Sequence, residues 1–345
     1  MSVERFVCDI IEKRKQNKVL LALLYLFSFC VKSVLWIYHA FWDRKTPLRL
    51  PCFVVSVGNV VAGGTGKTPF VQLLVSMFSQ KIGILSRGYC AKRKKDVQEV
   101  YDTSLASEVG DEPLLLKRTT DACVIVGKDR RDSARYALEK QVKVLVLDDG
   151  FQVRYLHHDF SIVLIDSTDP WGKGFFLPRG YLRDFPKRLH RANLIVITRL
   201  EMYSEILEQE HRCQELEQEI RRYTAAPIVG FAARYRLAKE CRAEKIGAFC
   251  GIAKPLSFQK ALSSCHVVAW NIAQDHRLPK DLKTFAVHAK KLGATCLVCT
   301  EKDRVKLRET LALPVFSLHM ELVCVWRENL WKEIVCSLHN RENSK

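Results

Sequence analysis

The apolar stretch that opens the chain, Val19–Val31, stops at Lys32, short of the roughly twenty residues a bilayer-spanning helix needs. No small-x-small cleavage site follows it, so a removed secretory leader is not expected. Disulfide order is also missing. The thirteen cysteines are odd in number, scattered, and mostly inside apolar runs such as Phe29-Cys30 and Phe249-Cys250. That suits reduced thiols in a cytosolic compartment. Cys296-Leu-Val-Cys299 has zinc-knuckle spacing but no second Cys or His pair to match, so it reads as a buried strand. There is no repeat, no low-complexity segment, no zinc-finger spacing and no RNA-binding aromatic motif. Acidic residues are in deficit, 38 against 55 basic, leaving a formal +17 that calls for an anionic partner. Nucleic acid has only this charge in its favour and is set aside. Anionic lipid headgroups and phosphorylated substrates remain.

What is present centres on Val54-Val-Ser-Val-Gly-Asn-Val-Val-Ala-Gly-Gly-Thr-Gly-Lys-Thr-Pro69. Phe53 to Val57 predicts a buried strand, and Pro69 to Phe78 an amphipathic helix whose first turn tolerates proline. Between them a glycine-rich turn makes a phosphate cradle from Val61, Ala62, Gly63, Gly64, Thr65, Gly66, Lys67 and Thr68. Glycine N–H groups approach phosphate oxygens without a Cβ in the way, the helix start adds a positive dipole end, and Lys67 adds a full charge. The Thr68 hydroxyl is placed to ligate Mg²⁺. Val61 departs from the pattern, which has glycine there. The strand–loop–helix context still predicts nucleotide binding.

At 345 residues the chain is long enough for two cores, and 48% hydrophobic with 27% charged residues is ordinary for a globular protein. Residues 1–50 read as a membrane-associated helical segment. The basic cluster Lys13–Lys18 leads into Val19–Val31, then Lys32, then Val34–Trp42. Lysines at one end and aromatics at the other suit a helix lying in the membrane interface, ahead of a single-span anchor or a core helix. Residues 51–226 read as a P-loop domain in which apolar strands alternate with helices, implying a parallel sheet covered on both faces. Its strands are expected at Ile82–Leu85, Ala122–Val126, Val142–Leu147, Phe160–Ile165 and Asn193–Thr198, with a surface loop over Lys92–Ser107 and a long charged helix over Glu201–Tyr223. Pro227 marks the expected boundary to a smaller α/β domain, 227–345, with strands at Ile246–Cys250, Val267–Trp270 and Cys296–Cys299.

Chemistry concentrates in a few places. Val144-Leu-Val-Leu-Asp148-Asp149 is an apolar strand ending in carboxylates, the arrangement that holds Mg²⁺ beside a P-loop. Asp111-Glu112 stands at a loop-to-helix junction, where Asp111 reads on its own as an N-cap. Asp275-His276 is either a base with its orienting partner or two loop residues. Between Trp171 and Arg191, basic residues including Arg179, Arg183 and Arg188 mix with aromatics around one acid, Asp184, which suits an anionic, partly apolar substrate.

These pieces together resemble the tetraacyldisaccharide 4'-kinases, the lipid A 4'-kinases of Gram-negative bacteria, over nearly the whole chain. The resemblance rests on the apolar N-terminal helix, the Gly-Gly-Thr-Gly-Lys-Thr-Pro loop, Ser86-Arg-Gly-Tyr89 and Gly110-Asp-Glu-Pro-Leu-Leu115. Asp148-Asp-Gly-Phe-Gln152, Leu177-Pro-x-Gly-x-Leu-Arg183, Phe249-Cys-Gly-Ile252, Asp275-His276 and Thr300-Glu-Lys-Asp303 follow in family order. Val153 and Asp184 depart from it, standing where the family commonly has His and Glu. Membrane-associated partitioning ATPases share part of the loop, but carry a lysine before the paired glycines where this chain has Ala62. The resemblance implies transfer of the γ-phosphate of ATP to the 4'-hydroxyl of a tetraacyldisaccharide 1-phosphate, giving 1,4'-bisphosphorylated lipid IVA. It also implies an inner-membrane enzyme facing the cytoplasm, with no indication of protein partners. Asp111 would then be the catalytic carboxylate with His276 as its partner, Lys67 would neutralise the β- and γ-phosphates, and Arg183 the transferred group. Thr68 and a carboxylate among Glu112, Asp148 and Asp149 would hold Mg²⁺.

Overall fold

The computed structural model describes residues 11, 18–89, 91–92, 95–238, 241 and 245–343. The basic cluster ahead of the first helix, up to residue 17, and residues 93–94 of the second basic stretch lie outside them. The first half of the chain carries α1 (Lys18–Trp42), β1 (Phe53–Gly58), α2 (Lys67–Val75), β2 (Ile82–Ser86), β3 (Val97–Glu99), α3 (Ala106–Val109) and α4 (Asp111–Thr119). It continues through β4 (Cys123–Gly127), α5 (Arg130–Glu139), β5 (Val144–Asp148), β6 (Phe160–Asp166), β7 (Leu194–Thr198) and α6 (Ile206–Ile220). The second half adds β8 (Ile228–Arg236), β9 (Lys245–Cys250), α7 (Pro255–Ala261), β10 (His266–Ile272), α8 (Leu282–Lys291), β11 (Cys296–Thr300), α9 (Glu301–Arg304), β12 (Val315–Trp326) and α10 (Glu328–Glu342).

Among the described residues all twelve strands join one sheet in the order β10-β9-β11-β12-β8-β7-β6-β1-β5-β2-β4-β3. Neighbours run parallel except β12 with β8 and β3 with β4. The central strands β1, β5, β6 and β7 are buried along their whole length, as their unbroken β-branched and leucine runs require. Helices α2, α4 and α5 cover them through Phe70, Leu74, Leu114, Leu116 and Ala134.

The register of β12 sets the overall geometry. Its first residues, Val315–Leu318, pair with β11, and the rest, from His319 to Trp326, pair with β8. β12 therefore leaves the second half and runs back into the first, opposite in direction to β8. Since β11 and β9 run parallel to that first part of β12, their carboxyl ends point toward the carboxyl ends of β1, β5, β6 and β7. Loops at strand carboxyl ends are where α/β sheets hold ligands, and here two such sets converge on one gap.

Several sequence expectations change. Helix α1 is continuous over 25 residues, because Lys32 stays exposed on its outer side and does not break it. The helix is thus long and apolar enough to cross a membrane. Leu24, Ser28, Leu35 and His39, however, share a face that rests on the body. The loop expected over 92–107 contains β3, and the expected helix over 201–223 is a 3₁₀ turn, Leu200–Met202, followed by the shorter α6. Strands β8 and β12 were not anticipated. β8 begins directly after Pro227 and pairs with β7 from Ile195↔Ile228, so the chain stays in the same sheet at that proline.

Candidate active site

The phosphate loop connects β1 to α2 as the sequence predicts, with the helix starting at Lys67, so that Pro69 sits in its first turn. Gly66 caps that helix at φ 85°, a left-handed conformation that side chains with a Cβ resist. The loop is tied down from several directions. Asn59 Nδ2 donates to Thr65 Oγ1 at 2.7 Å, Thr198 Oγ1 to the Thr65 carbonyl at 2.9 Å, and Arg199 to the Gly64 carbonyl at 2.6 Å. Val61 forms a β-bridge with Leu182, and Ala62 donates its N–H to the Tyr181 carbonyl at 2.6 Å. That Ala62 N–H is therefore not available to a phosphate, and the two residues anchor the loop's entry instead.

Facing the loop, Asp148 and Asp149 end β5 but differ sharply in surroundings. Asp149 is gripped by Arg183 through both of its carboxylate oxygens, and Lys67 Nζ lies 3.4 Å away. Burial works to raise its pKa, but Lys67 and Arg183 outweigh it and hold the carboxyl far below the usual range. Asp148 has no such cation at contact among the described residues. Burial, with Glu112 and Asp149 nearby, pushes it up to about 6, against the pull of Lys67 and a 2.9 Å hydrogen bond from Ser86. Beneath it, buried Arg130 donates to the carbonyls of Gly127 and Asp148 at 3.0 and 3.2 Å and fixes the end of β5.

Asp111 is not an N-cap. Gly110 caps α4, at φ 96°, and Asp111 is the first helical residue, its Oδ1 accepting the N–H of Glu112 at 3.0 Å. Its partner is His276, 165 residues on, whose Nδ1 lies 2.9 Å from Oδ1 and 3.1 Å from Oδ2. Burial of Asp111 favours the neutral acid, but His276 together with Lys302 and Lys306 holds its pKa below the ordinary value. His276 shifts the other way. Burial lowers its pKa, and the Asp111 hydrogen bond more than restores it. Asp275 and His276 are thus not idle loop residues.

The loop that carries His276 is pinned to β9 by close backbone packing. His276 N–H donates to the Gly251 carbonyl at 3.1 Å. A Cβ on Gly251 would lie 1.7 Å from the Arg277 carbonyl oxygen, so only glycine fits. The Gly251 N–H in turn donates to the fully buried Asp303 at 2.9 Å. The Tyr89 ring lies 5.4 Å from the imidazole, centroid to centroid.

Sequence reasoning gave Lys302 no role, although it quoted the Thr300–Asp303 motif. Lys302 Nζ reaches Glu112 at 3.1 Å, Asp275 at 3.3 Å, His276 Nε2 at 3.5 Å and Asp111 at 3.9 Å. Burial disfavours its charge, yet Glu112, Asp111 and Asp275 drive its pKa upward instead. Lys306 adds a second cation 3.7 Å from Asp111. A second overlooked group flanks the loop's other side, where Arg199 and Lys254 both pair with buried Asp166. A faint signal was available: as Asp149 follows the apolar strand β5, Lys302 comes just after the apolar strand β11. Only the topology shows that this end faces the P-loop.

Three comparisons bear on this site. The family model described as tetraacyldisaccharide-1-P 4'-kinase matches residues 17–338. A tetraacyldisaccharide 4'-kinase of Syntrophus aciditrophicus is 37% identical over 343 residues, covering 90% of this chain and 91% of the relative. One of Chlamydia trachomatis is 35% identical over 308 residues, covering 85% and 82%. Among solved structures, LpxK from Aquifex aeolicus in complex with ATP is similar at TM-score 0.71 and 26% identity, over 93% of this chain and 99% of that one.

Proposed function

The chain belongs to the tetraacyldisaccharide-1-P 4'-kinase family, and from that premise we propose which of its residues carry the reaction. It is an ATP-dependent kinase that phosphorylates the lipid A precursor at its 4' position. The acceptor we assign is an acylated glucosamine disaccharide 1-phosphate, and the product the 1,4'-bisphosphate. The observation that carries the residue roles is the 2.9 Å contact between Asp111 and His276, made across the gap onto which both sets of strand ends converge.

In this reading the 4'-hydroxyl oxygen attacks the γ-phosphorus as the bond to the β-phosphate oxygen breaks and ADP leaves. The hydroxyl proton passes to the Asp111 carboxylate. A carboxyl with a depressed pKa is a weak base, which matters little when the transition state is loose and the proton moves late. Position then dominates, and His276, Lys302 and Lys306 fix the position of Asp111. Lys67 and Arg183 neutralise charge on the β- and γ-phosphates. Asp149 holds that pair in register beforehand. Gly63 to Thr68 cradle the nucleotide.

Mg²⁺ suits oxygen donors of the kind Thr68, Asp148 and Glu112 offer. Burial beside Glu112 and Asp149 leaves Asp148 short of a cation, a conflict that a divalent ion would relieve. Thr68 and Asp148 are the residues that would hold it, with Glu112, paired with Lys302 at 3.1 Å, as a further candidate, and Asp149 already occupied by two cations. Bound there, it would shield negative charge on the phosphates.

The acyl chains keep the acceptor in the membrane, so the enzyme must approach the bilayer. We assign that contact to α1, lying in the interface on the cytoplasmic side of the inner membrane, where ATP is available. Leu24 to His39 rest on the body over roughly 22 Å of the helix, so it is not surrounded by lipid along that length. Its other face exposes Tyr25, Leu26, Phe27, Phe29, Trp36 and Ile37. Residues 51–226 serve as the nucleotide-binding part, and 227–345 bring His276 and Lys302 to it.

The direct test is transfer of labelled γ-phosphate from Mg-ATP to detergent-solubilised tetraacyldisaccharide 1-phosphate, with Lys67→Ala as the inactive control. Labelled bisphosphate with the wild type alone supports this reading. ATP hydrolysis stimulated by bare vesicles, with no lipid product, would replace it with a partitioning-type ATPase.

A further inference from the structure

One buried contact joins the membrane-facing helix to the catalytic machinery, and none of the roles above uses it. His39, 4% exposed near the end of α1, places Nε2 2.8 Å from Oδ1 of Asp184, itself 2% exposed. Asp184 follows Arg183 directly. Its other oxygen accepts Gln152 Nε2 at 3.3 Å, and the same Nε2 donates to the Asn59 carbonyl at 2.8 Å. Asn59 holds Thr65 of the phosphate loop at 2.7 Å, while Arg183 also leans on the Asn59 carbonyl at 3.5 Å. The chain of contacts therefore runs from α1 through Asp184 and Gln152 to both the loop and the arginine. Tyr38 supports the same segment from α1 by donating to the Gln152 carbonyl at 3.4 Å.

We propose that His39 is a positioning residue for phosphoryl transfer: by fixing Asp184 and Gln152, it makes the docked helix set the placement of Arg183 and the phosphate loop. The contact needs a hydrogen on Nε2 to meet the carboxylate, and the other ring nitrogen, Nδ1, is buried with no hydrogen-bond partner among the described residues. His39 thus has one polar duty, toward Asp184. Without His39, the Asp184 carboxylate would keep, among the described residues, only the N–H of its chain neighbour Phe185, at 2.8 Å, and the longer Gln152 contact, and a small misplacement of a group near the transferring phosphoryl lowers the rate far more than it lowers binding. Ser28 gives a built-in comparison. It docks the same helix by donating to the Phe176 carbonyl at 2.8 Å and, among the described residues, makes no hydrogen bond of its own to Asp184, Gln152 or Asn59.

The proposal rests on Arg183 acting at the transferred group, so the experiment separates the two. Lipid-kinase kcat and KM, vesicle binding and thermal midpoint are measured for His39→Phe, His39→Gln, Ser28→Ala and Arg183→Ala. His39→Phe keeps the ring volume against Phe185 and removes the donor. Its kcat is expected to fall about tenfold or more, with both KM values within about twofold and vesicle binding unchanged. His39→Gln, which restores a donor, should recover most of the rate, and Ser28→Ala should keep it. If His39→Phe retains wild-type kcat while Arg183→Ala loses it, the positioning role is wrong and the reading of Arg183 stands. An active Arg183→Ala enzyme would instead remove the premise. A His39→Phe enzyme that loses vesicle binding or lipid KM rather than kcat would make His39 a docking residue only.

Discussion

Lys302→Met removes a single charge, keeps most of the side-chain volume, and isolates what holds the two strand-end clusters together. The ammonium lies 3.1 Å from Glu112, 3.3 Å from Asp275 and 3.9 Å from Asp111, with 17% of its side chain exposed. A unit-charge pair near 4 Å is worth about 1 kcal/mol in water and about 4 kcal/mol at an effective dielectric near 20. Glu112 and Asp275 are each about one-third exposed, at 33% and 32%, so water will screen part of the loss. Breaking a fully buried pair costs about 3–5 kcal/mol. We place this change lower, at about 2–3 kcal/mol, which corresponds to roughly 30- to 150-fold in the equilibrium that keeps Asp111 beside His276. Urea unfolding followed by tryptophan fluorescence, together with lipid-kinase kcat, measures both consequences. The expected result is an earlier unfolding midpoint and a kcat reduced by at least about tenfold, with Lys302→Arg intermediate. Wild-type midpoint and wild-type kcat in Lys302→Met would refute the idea that this lysine holds the site together.

Three further outcomes follow from the same geometry. Gly251→Ala forces a Cβ onto the Arg277 carbonyl, so the loop bearing His276 must move. Turnover should drop by about two orders of magnitude while labelled-ATP binding by the P-loop persists, and a fully active variant would show that the loop's placement is unimportant. The Asp111–His276 pair should stabilise the fold within a pH window. The Asp111 contribution, from a depressed pKa, is lost on acidification through its folded value. The His276 contribution, from a raised pKa, is fully present below about 6.5 and lost as pH rises through its folded value. The stability difference between wild type and His276→Gln should therefore shrink at both ends of a pH series, and a difference independent of pH would contradict the pairing. Finally, Trp36→Glu with Ile37→Glu places two charges on the exposed face of α1. Vesicle binding should fall at least about tenfold with ATP binding intact, whereas unchanged partitioning would remove α1 from the membrane contact.

Much of this architecture was legible in the sequence because its strands are unusually explicit. Val144–Asp148 and Leu194–Thr198 are unbroken apolar runs, and a strand buried on both faces can be little else. Val97–Glu99, inside an expected loop, escaped notice, as did Ile228–Arg236 and Val315–Trp326, the two whose pairing joins one half to the other. Each mixes buried and solvent-facing residues along its length, and their pairing is a long-range choice that no local pattern encodes. The same reason explains the site. The P-loop and the carboxylates after β5 are local signals, each tied to one strand end. Asp111 looked like an N-cap because Asp before a helix usually is one, and only the approach of His276 supports the different role proposed for it. Lys302 carries only its place after an apolar strand, and His39 carries no local signal at all. Each acquires meaning from a partner more than a hundred residues away.

The most direct test of the central claim is a single-turnover measurement on Asp111→Asn, which keeps the shape of the side chain and removes its capacity to accept a proton. Enzyme in excess over labelled Mg-ATP is mixed with tetraacyldisaccharide 1-phosphate, and bound nucleotide and phosphorylated lipid are followed separately. The expected result is nucleotide binding within about twofold of wild type and a transfer step slowed by about two to four orders of magnitude. Transfer at the wild-type rate would contradict the assignment of Asp111 and, with it, the meaning given to the contact across the gap.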